Sequence, residues 1–306
     1  MSMEKISGFS LIRNGLKFDY PFLESWRSLL PIVDELVLNI GVSDDESLQV
    51  AKKFALEEGG EKVRIIETVW PLNDPEKKKS GLILSEQTNI ALDACQYDWC
   101  FYIQADEVIH EADYPIIKTA VERAAQMKLD AVVFDYRHFY GSFNVIQETR
   151  SAYRREMRII RKSSGARSVG DAQSFRKPGE AKLSALLTRA RIFHYGWVRT
   201  PEAMKEKTLF MDQLYHGDQG KNEVTPHSGD NYLYKSFWGL KQYRATHPAV
   251  MNRRIAQKGW HWNLAQSKFV FSVSDIKKVI LDLFERFTGY RPFEFKNYEI
   301  RETLHE

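Results

Sequence analysis

Over the first ~105 residues an apolar, β-branched run gives way to a helical one again and again, the pattern of a mostly parallel sheet covered on both faces. The strand-like runs are Ile6 to Arg13, Glu35 to Ile40, Val63 to Thr68 and Trp99 to Gln104. Between them, Pro21 to Leu30 places Phe22, Trp26, Leu29 and Leu30 on one side of a helix. A second helix follows Gly41, runs to about Glu58 and stops at Gly59-Gly60, and a third spans Ile83 to Ala94. Ser43 or Asp44 is placed to cap the second helix, whose first turn is acidic. Apolar residues make up 43% of the 306 positions, enough for a large core. No run approaches the ~20 apolar residues of a membrane span. Met1 to Lys5 lack the apolar segment of a signal peptide. The spacing of Cys95 and Cys100 fits neither a zinc site nor a disulfide framework, and the pair reads as buried thiols of a reducing cytosol. A net charge of +3 is too small to imply a nucleic-acid partner, and no recognition motif stands out.

The fourth run, Trp99 to Gln104, leads straight into Asp106-Glu107. A carboxylate at the carboxyl end of a buried strand lies where open α/β sheets hold ligands. The stretch therefore suggests a metal or polar-ligand site, against the simpler reading of two acids marking the chain's exit into solvent. Beyond it, Pro115 to Met127 reads as a helix, and Ala131 to Phe139 and Tyr153 to Lys162 read as strands. Ser163 to Glu180 reads as a loop or lid, Ala190 to Tyr195 as a short strand, and Thr200 to Leu214 as a helix. Gly217 to Gly229 is polar. Ser274 to Phe287 forms an amphipathic helix with Ile276, Val279, Ile280, Leu283 and Phe287 on one face and Ser274 or Asp275 as its cap. The division is into an α/β domain over residues 1–230 and an aromatic-rich, helical C-terminal extension over 231–306.

Four segments, in order, resemble glycosyltransferases of the GT-A, family 2 type across roughly residues 6–215. They are Arg13-Asn14, then Asn39-Ile40-Gly41-Val42-Ser43-Asp44-Asp45-Glu46-Ser47, then Ser85-Glu86-Gln87-Thr88-Asn89-Ile90-Ala91-Leu92, then Gln104-Ala105-Asp106-Glu107. Phe193 to Arg199 is similar to a later segment of bacterial members. The resemblance implies a GT-A, Rossmann-like sheet flanked by helices. It implies an inverting transfer of a sugar from a nucleotide-sugar donor to a hydroxyl of a saccharide or glycolipid acceptor, in cell-surface polysaccharide or glycolipid synthesis. It also implies a cytoplasmic protein, and basic or aromatic surface leaves room for peripheral contact with the inner face of the membrane.

By the same mapping Asp106 is a ligand of a divalent cation, Mn²⁺ or Mg²⁺, that neutralises the leaving diphosphate. His194 is a second metal ligand, though a lone histidine among aromatics is more often packed core. Gln104 stands where the family has an acid; it can bond a ribose, and it puts metal dependence in question. Asn39 and Glu67 are candidate base contacts, and Arg13 a phosphate or ribose contact. Asp171 is the candidate general base, with Glu156 a weaker one. One or two of Arg150, Arg154, Arg155, Arg158, Arg161 and Arg167 could clamp a diphosphate, although most read as a charged strand edge. Two other readings stand beside the transferase. A nucleotidyltransferase would show a Gly- and Lys-rich loop after the first strand, where this chain has Arg13-Asn14-Gly15. A non-catalytic binding module of the same fold draws its support from Gln104.

Overall fold

A computed structural model describes residues 4–217, 227–228, 231–294 and 296–304. The first part runs β1 (Ile6–Ile12), α1 (Phe22–Leu29), β2 (Glu35–Gly41), α2 (Ser47–Phe54), β3 (Val63–Thr68), α3 (Leu82–Ala94), β4 (Trp99–Tyr102), β5 (Glu107–Ile109) and α4 (Tyr114–Gln126). The middle runs β6 (Ala131–Tyr140), β7 (Ser142–Gln147), β8 (Arg155–Arg161), β9 (Arg167–Val169), β10 (Ser174–Arg176), β11 (Leu183–Trp197) and α5 (Pro201–His216). The rest is β12 (His227–Ser228), β13 (Asn231–Tyr232), β14 (Leu240–Gln242), α6 (Asn252–Ala256), α7 (Val273–Thr288) and β15 (Tyr298–Thr303). Most of the polar stretch Gly217 to Gly229, and the boundary expected at residue 230, lie outside the described residues.

The expected α/β architecture is present. Strands β3, β2, β1 and β4 are neighbours and parallel. β1 and β2 are buried along their whole length, as strands covered on both faces must be. Next to β4 the direction changes: β8 runs antiparallel to β4, and β6 antiparallel to β8. β11 then lies parallel to β6 and pairs antiparallel with β5. One apolar layer, around Trp26, Leu29, Phe101, Ile117 and Val121, lies under α1 and α4. The other, around Phe9, Ile83, Leu92, Tyr102 and Phe175, lies under α3 and the β9–β10 hairpin. Cys95 and Cys100 are free thiols inside that second layer.

Several local expectations change. Ser43 and Asp44 do not cap α2; Asp45 Oδ1 accepts from Ser47 N (2.9 Å), while Ser43 and Asp44 are bonded to Asn14. The expected short strand at Ala190 is the far half of the 15-residue β11. The strand turns at Arg189, whose φ is +64°, where its register on β6 shifts. The Ser163 to Glu180 segment contains the β9–β10 hairpin. The last helix begins at Ser272, whose backbone N and Oγ both donate to Asp275 Oδ2, so Ser272 and not Ser274 or Asp275 is the cap. The chain past residue 230 also contributes strands to the main sheet: β14 pairs with β7, and β15 with β11.

The centre of the sheet is fastened by one ion pair. Arg158 on β8 donates from Nε (2.9 Å) and Nη2 (2.7 Å) to Glu107 at the start of β5, and neither side chain reaches solvent. Arg158 Nη1 also donates to Gln173 O (2.8 Å), and Tyr136 OH donates to Glu107 Oε1 (2.9 Å). Removing one member of such a pair leaves an uncompensated buried charge, at a cost of about 3–5 kcal/mol. Glu107→Gln should therefore lower the free energy of unfolding by about that amount in urea titrations. A loss below ~1 kcal/mol would show that the pair does not hold the sheet together.

Candidate active site

At the carboxyl ends of the parallel strands lies a cavity of about 530 Å³. β1 brings Arg13 to its wall, the segment after β3 brings Trp70, and the turn after β4 brings Gln104 and Asp106. β11 contributes His194, α5 contributes Lys207, and the β9–β10 turn contributes Asp171. The volume is of the size that holds a small ligand or cofactor.

The two adjacent acids after β4 separate. Glu107 goes into the core against Arg158; Asp106 is buried but faces the cavity wall. Its Oδ2 accepts from Lys207 Nζ (3.1 Å) and lies 3.7 Å from the Arg199 guanidinium, and its Oδ1 is 3.7 Å from His194 Nε2. Burial alone would raise the Asp106 carboxyl. Lys207, His194 and Arg199 together outweigh that and hold it well below the usual carboxylate range. Lys207 also donates to Gly196 O (2.9 Å), and burial, reinforced by Arg199, pushes its amine down to about 8. Arg199 is fully buried, its three guanidinium nitrogens have no hydrogen-bond partner among the described residues, and its charge rests over the Tyr20 ring at 4.6 Å.

Strand register sets the histidine. His194 lies opposite Glu107 on β5 and opposite His138 on β6, so the three stand in one row across the sheet. His138 Nε2 is 2.7 Å from Tyr153 O, an atom that can only accept, so this nitrogen carries the proton. Burial, then the neighbouring His194, pushes His138 down to about 3, so its ring is neutral and its Nδ1 is an acceptor. His194 Nδ1, 2.9 Å away, must then be the donor. Burial also lowers the pKa of His194, and its Nε2 is left with a bare lone pair within 3.7 Å of Asp106 Oδ1.

That arrangement bears on the expected divalent cation. No three His, Cys, Asp or Glu side chains are grouped around a metal position among the described residues. Two donors do come together, His194 Nε2 and an Asp106 oxygen, 3.7 Å apart. The space is also kept clear: a Cβ on Gly196 would sit 2.5 Å from His194 Nε2 and 3.2 Å from Asp106 Oδ2. These two side chains would hold an ion only if it took its other ligands from phosphate oxygens and water, as Mg²⁺ commonly does. Gln104 is not aimed at that point; its Nε2 donates to Ala172 O (3.4 Å).

The remaining candidates divide. Arg13 lines the cavity, donating from Nε to Val42 O (2.9 Å) with its guanidinium 3.5 Å from Asp44. Asp171 lines it too, accepting from Tyr215 OH (2.9 Å) and Gln173 N (3.2 Å). Gly81, at φ +72°, gives this turn its room: a Cβ there would lie 2.9 Å from Asp171 Cα. Asn39 does not reach the cavity; it is fully buried, donating to Gln87 O (2.8 Å) and accepting from Thr68 Oγ1 (2.7 Å). Glu67 points away on the outer edge strand and pairs with Lys52 (2.7 Å). Glu156 is buried among Ser174 and Gln173, with its carboxyl raised by that burial.

The arginine cluster is structural. Arg150 and Arg154 hold Glu285, and Arg155, Arg161 and Arg167 pair with Asp135, Asp130 and Asp93. The turn after β1 is no phosphate loop either. Its N–H groups at Asn14, Gly15, Leu16 and Lys17 already donate to Ser43, Ser47 and Asp45 side chains. The sequence reading passed over Lys207, Arg199, His138 and Trp70. Lys207 carried a signal, since it interrupts a helix face otherwise made of Met204, Met211 and Leu214.

No protein-family model matches this chain, and no curated protein matches it. Among solved structures, S. aureus TarS aligns with a TM-score of 0.39 and 14% identity, over 68% of this chain and 39% of that one. TarS 1–349 in complex with UDP-GlcNAc aligns with a TM-score of 0.40 and 14% identity, over 69% of this chain and 66% of that one. The same portion in complex with UDP gives 0.38 and 13%, over 69% and 65%. This chain thus spans well under half of the full TarS chain. TM-scores of this size decide neither fold nor activity, and both rest on the geometry above.

If His138 fixes the tautomer of His194, His138→Phe should weaken Mn²⁺ binding roughly 10–100-fold, read by electron paramagnetic resonance of the free ion. An unchanged affinity would show that the ring is oriented without it.

Proposed function

We propose that the protein is an inverting glycosyltransferase that moves a sugar from a nucleotide donor to an acceptor hydroxyl. The observation that carries this reading is one cavity whose lining joins the cations Lys207 and Arg13, suited to a diphosphate, with Asp106, His194 and the carboxylate of Asp171. Trp70 supports a base-binding role in place of Asn39 and Glu67: its ring lines the cavity and its buried indole N–H has no partner among the described residues.

In this reading Asp171 takes the proton from the acceptor hydroxyl. The acceptor oxygen attacks the anomeric carbon from the face opposite the diphosphate, and the bond to the diphosphate breaks with its electron pair leaving on oxygen. Tyr215 and the Gln173 amide hold Asp171 in place for that step. Lys207 spends two of its three N–H groups on Asp106 and Gly196, which leaves one for a phosphate oxygen. Arg13 reaches the same cavity from the end of β1, and Gln104 lines it too, suited to a ribose hydroxyl. Asp106 and His194 would hold a Mn²⁺ or Mg²⁺ ion, which when bound supplies further positive charge to the departing diphosphate.

A second cavity of about 450 Å³ adjoins the first and shares Tyr153, His194, Trp197 and Tyr232 with it. Trp197 and Trp238 line it with part of each ring accessible, beside Asp275 and Lys278. Exposed aromatic faces bordered by polar groups suit a sugar ring, and we assign to this side the remainder of the saccharide or glycolipid acceptor, whose reacting hydroxyl extends into the first cavity toward Asp171. The spent amides of the turn after β1 weigh against a nucleotidyltransferase.

The test is a thermal-shift panel with UDP, GDP, CDP and dTDP, each with Mn²⁺. One nucleotide should raise the melting temperature, and Asp106→Ala should abolish the shift. Asp171→Asn should keep the shift and lower donor turnover by roughly 10²–10⁴-fold. No shift with any nucleotide would sink the reading, and a shift without turnover on any donor would favour a non-catalytic binding module.

A further inference from the structure

Helix α7 is turned inside out. Its charged side packs on the protein: Glu285 holds Arg150 (3.1 Å) and Arg154 (3.2 Å), and Asp282 accepts from Trp238 Nε1 (3.1 Å). Its opposite side carries Val273, Ile276, Ile280, Leu283, Phe284 and Phe287, spaced three and four apart so that they form one stripe. All six are exposed, Val273 by 86%, Ile280 by 60% and Phe287 by 88%. The stripe continues at both ends, into the stacked pair Phe269 and Phe271 and into Tyr290 and Phe293, all exposed. A soluble surface rarely leaves so long an apolar strip uncovered. The helix is not long and apolar enough to cross a membrane, so the strip is not a span.

The charges along this edge are sorted. Between residues 268 and 293 the exposed charged side chains are Lys268, Lys277, Lys278 and Arg286. Of the acids of the same stretch, Glu285 is paired with Arg150 and Arg154, and Asp275 and Asp282 pair with Lys278 and Arg286 of the helix itself. The outer face is therefore an apolar stripe whose surplus charge is positive, carried by Lys268 and Lys277. We propose that it docks on an anionic lipid surface, with α7 lying in the plane of the headgroups, its apolar stripe in the acyl boundary and the lysines on the phosphates. A second copy of the chain would have to bring Lys268 and Lys277 against a face whose acids are already paired. Anionic headgroups answer both lysines.

The inward side of the same helix borders the second cavity through Asp275, Lys278, Val279 and Asp282. Docking would therefore hold that cavity at the membrane surface. For the transferase reading on which this last step rests, the acceptor is then a lipid-borne glycan.

The test is co-sedimentation of the full chain with vesicles of phosphatidylcholine, alone or mixed with phosphatidylglycerol. The protein should pellet with the anionic vesicles, and less as salt is raised. Ile280→Glu combined with Phe287→Glu should reduce vesicle affinity at least about tenfold. Both side chains are exposed, so the variant's melting temperature and its nucleotide-induced shift should stay at wild-type values. Failure of the wild type to pellet, or equal pelleting of the variant, would overturn the proposal. So would a dimer, seen by light scattering, that the same substitutions convert to monomer. The nucleotide shift, measured in parallel, reports on the transferase reading separately, so the two can fail independently.

Discussion

A buried ion pair fixes the chemistry of this fold. Arg158 and Glu107, neither reached by solvent, join β8 to β5 where the parallel half of the sheet gives way to the antiparallel half. Their desolvation is offset only because the geometry is bidentate and the same two oxygens also accept from Tyr136 and the Gln104 amide. With Glu107 committed inward, the adjacent Asp106 is the acid left for a ligand. The strand pairing that places Glu107 also places His194 across from it on β11, and His138 across from His194 on β6. One structural contact thereby positions the whole polar row.

The cluster around Asp106 is positive on balance, with Lys207 and Arg199 against one carboxylate and neutral histidines beside it. A buried guanidinium with no hydrogen-bond partner among the described residues is a standing cost, partly offset by Asp106 at 3.7 Å and by the Tyr20 ring. In the proposed reading the diphosphate of the donor is the anion that lowers that cost. Excess positive charge set in a low-dielectric wall acts more strongly than the same charge in water. In the same reading the second cavity, lined by aromatic rings and a few polar groups, takes the neutral saccharide.

The parallel half of the fold was legible because its signals are local. Continuous apolar runs, glycine stops and helical spacing each lie within a few residues of the element they define. β5 was hidden because three residues carry no period, and β11 because Thr188-Arg189 interrupts its apolar run. Asp106 was legible as the acid ending a buried strand. Asn39 and Glu67 lie at strand ends, but side-chain direction decided against both: Asn39 is spent on Gln87 and Thr68, and Glu67 faces Lys52 outside. The arginine run could not be resolved from sequence, because its partners are distant. The existence of α7 was plain from its pattern, but its orientation was not. The arginines that draw its acids inward lie 131 and 135 residues earlier.

The account centres on the space that Gly196 leaves open between Asp106 and His194. The most direct measurement is an anomalous-difference map at the manganese edge, from crystals grown with Mn²⁺ and whichever nucleoside diphosphate raises the melting temperature. The account predicts one peak within bonding distance of His194 Nε2 and an Asp106 oxygen, with diphosphate oxygens completing the ligand set. A bound diphosphate with no peak there, or a peak held by other side chains, would contradict it.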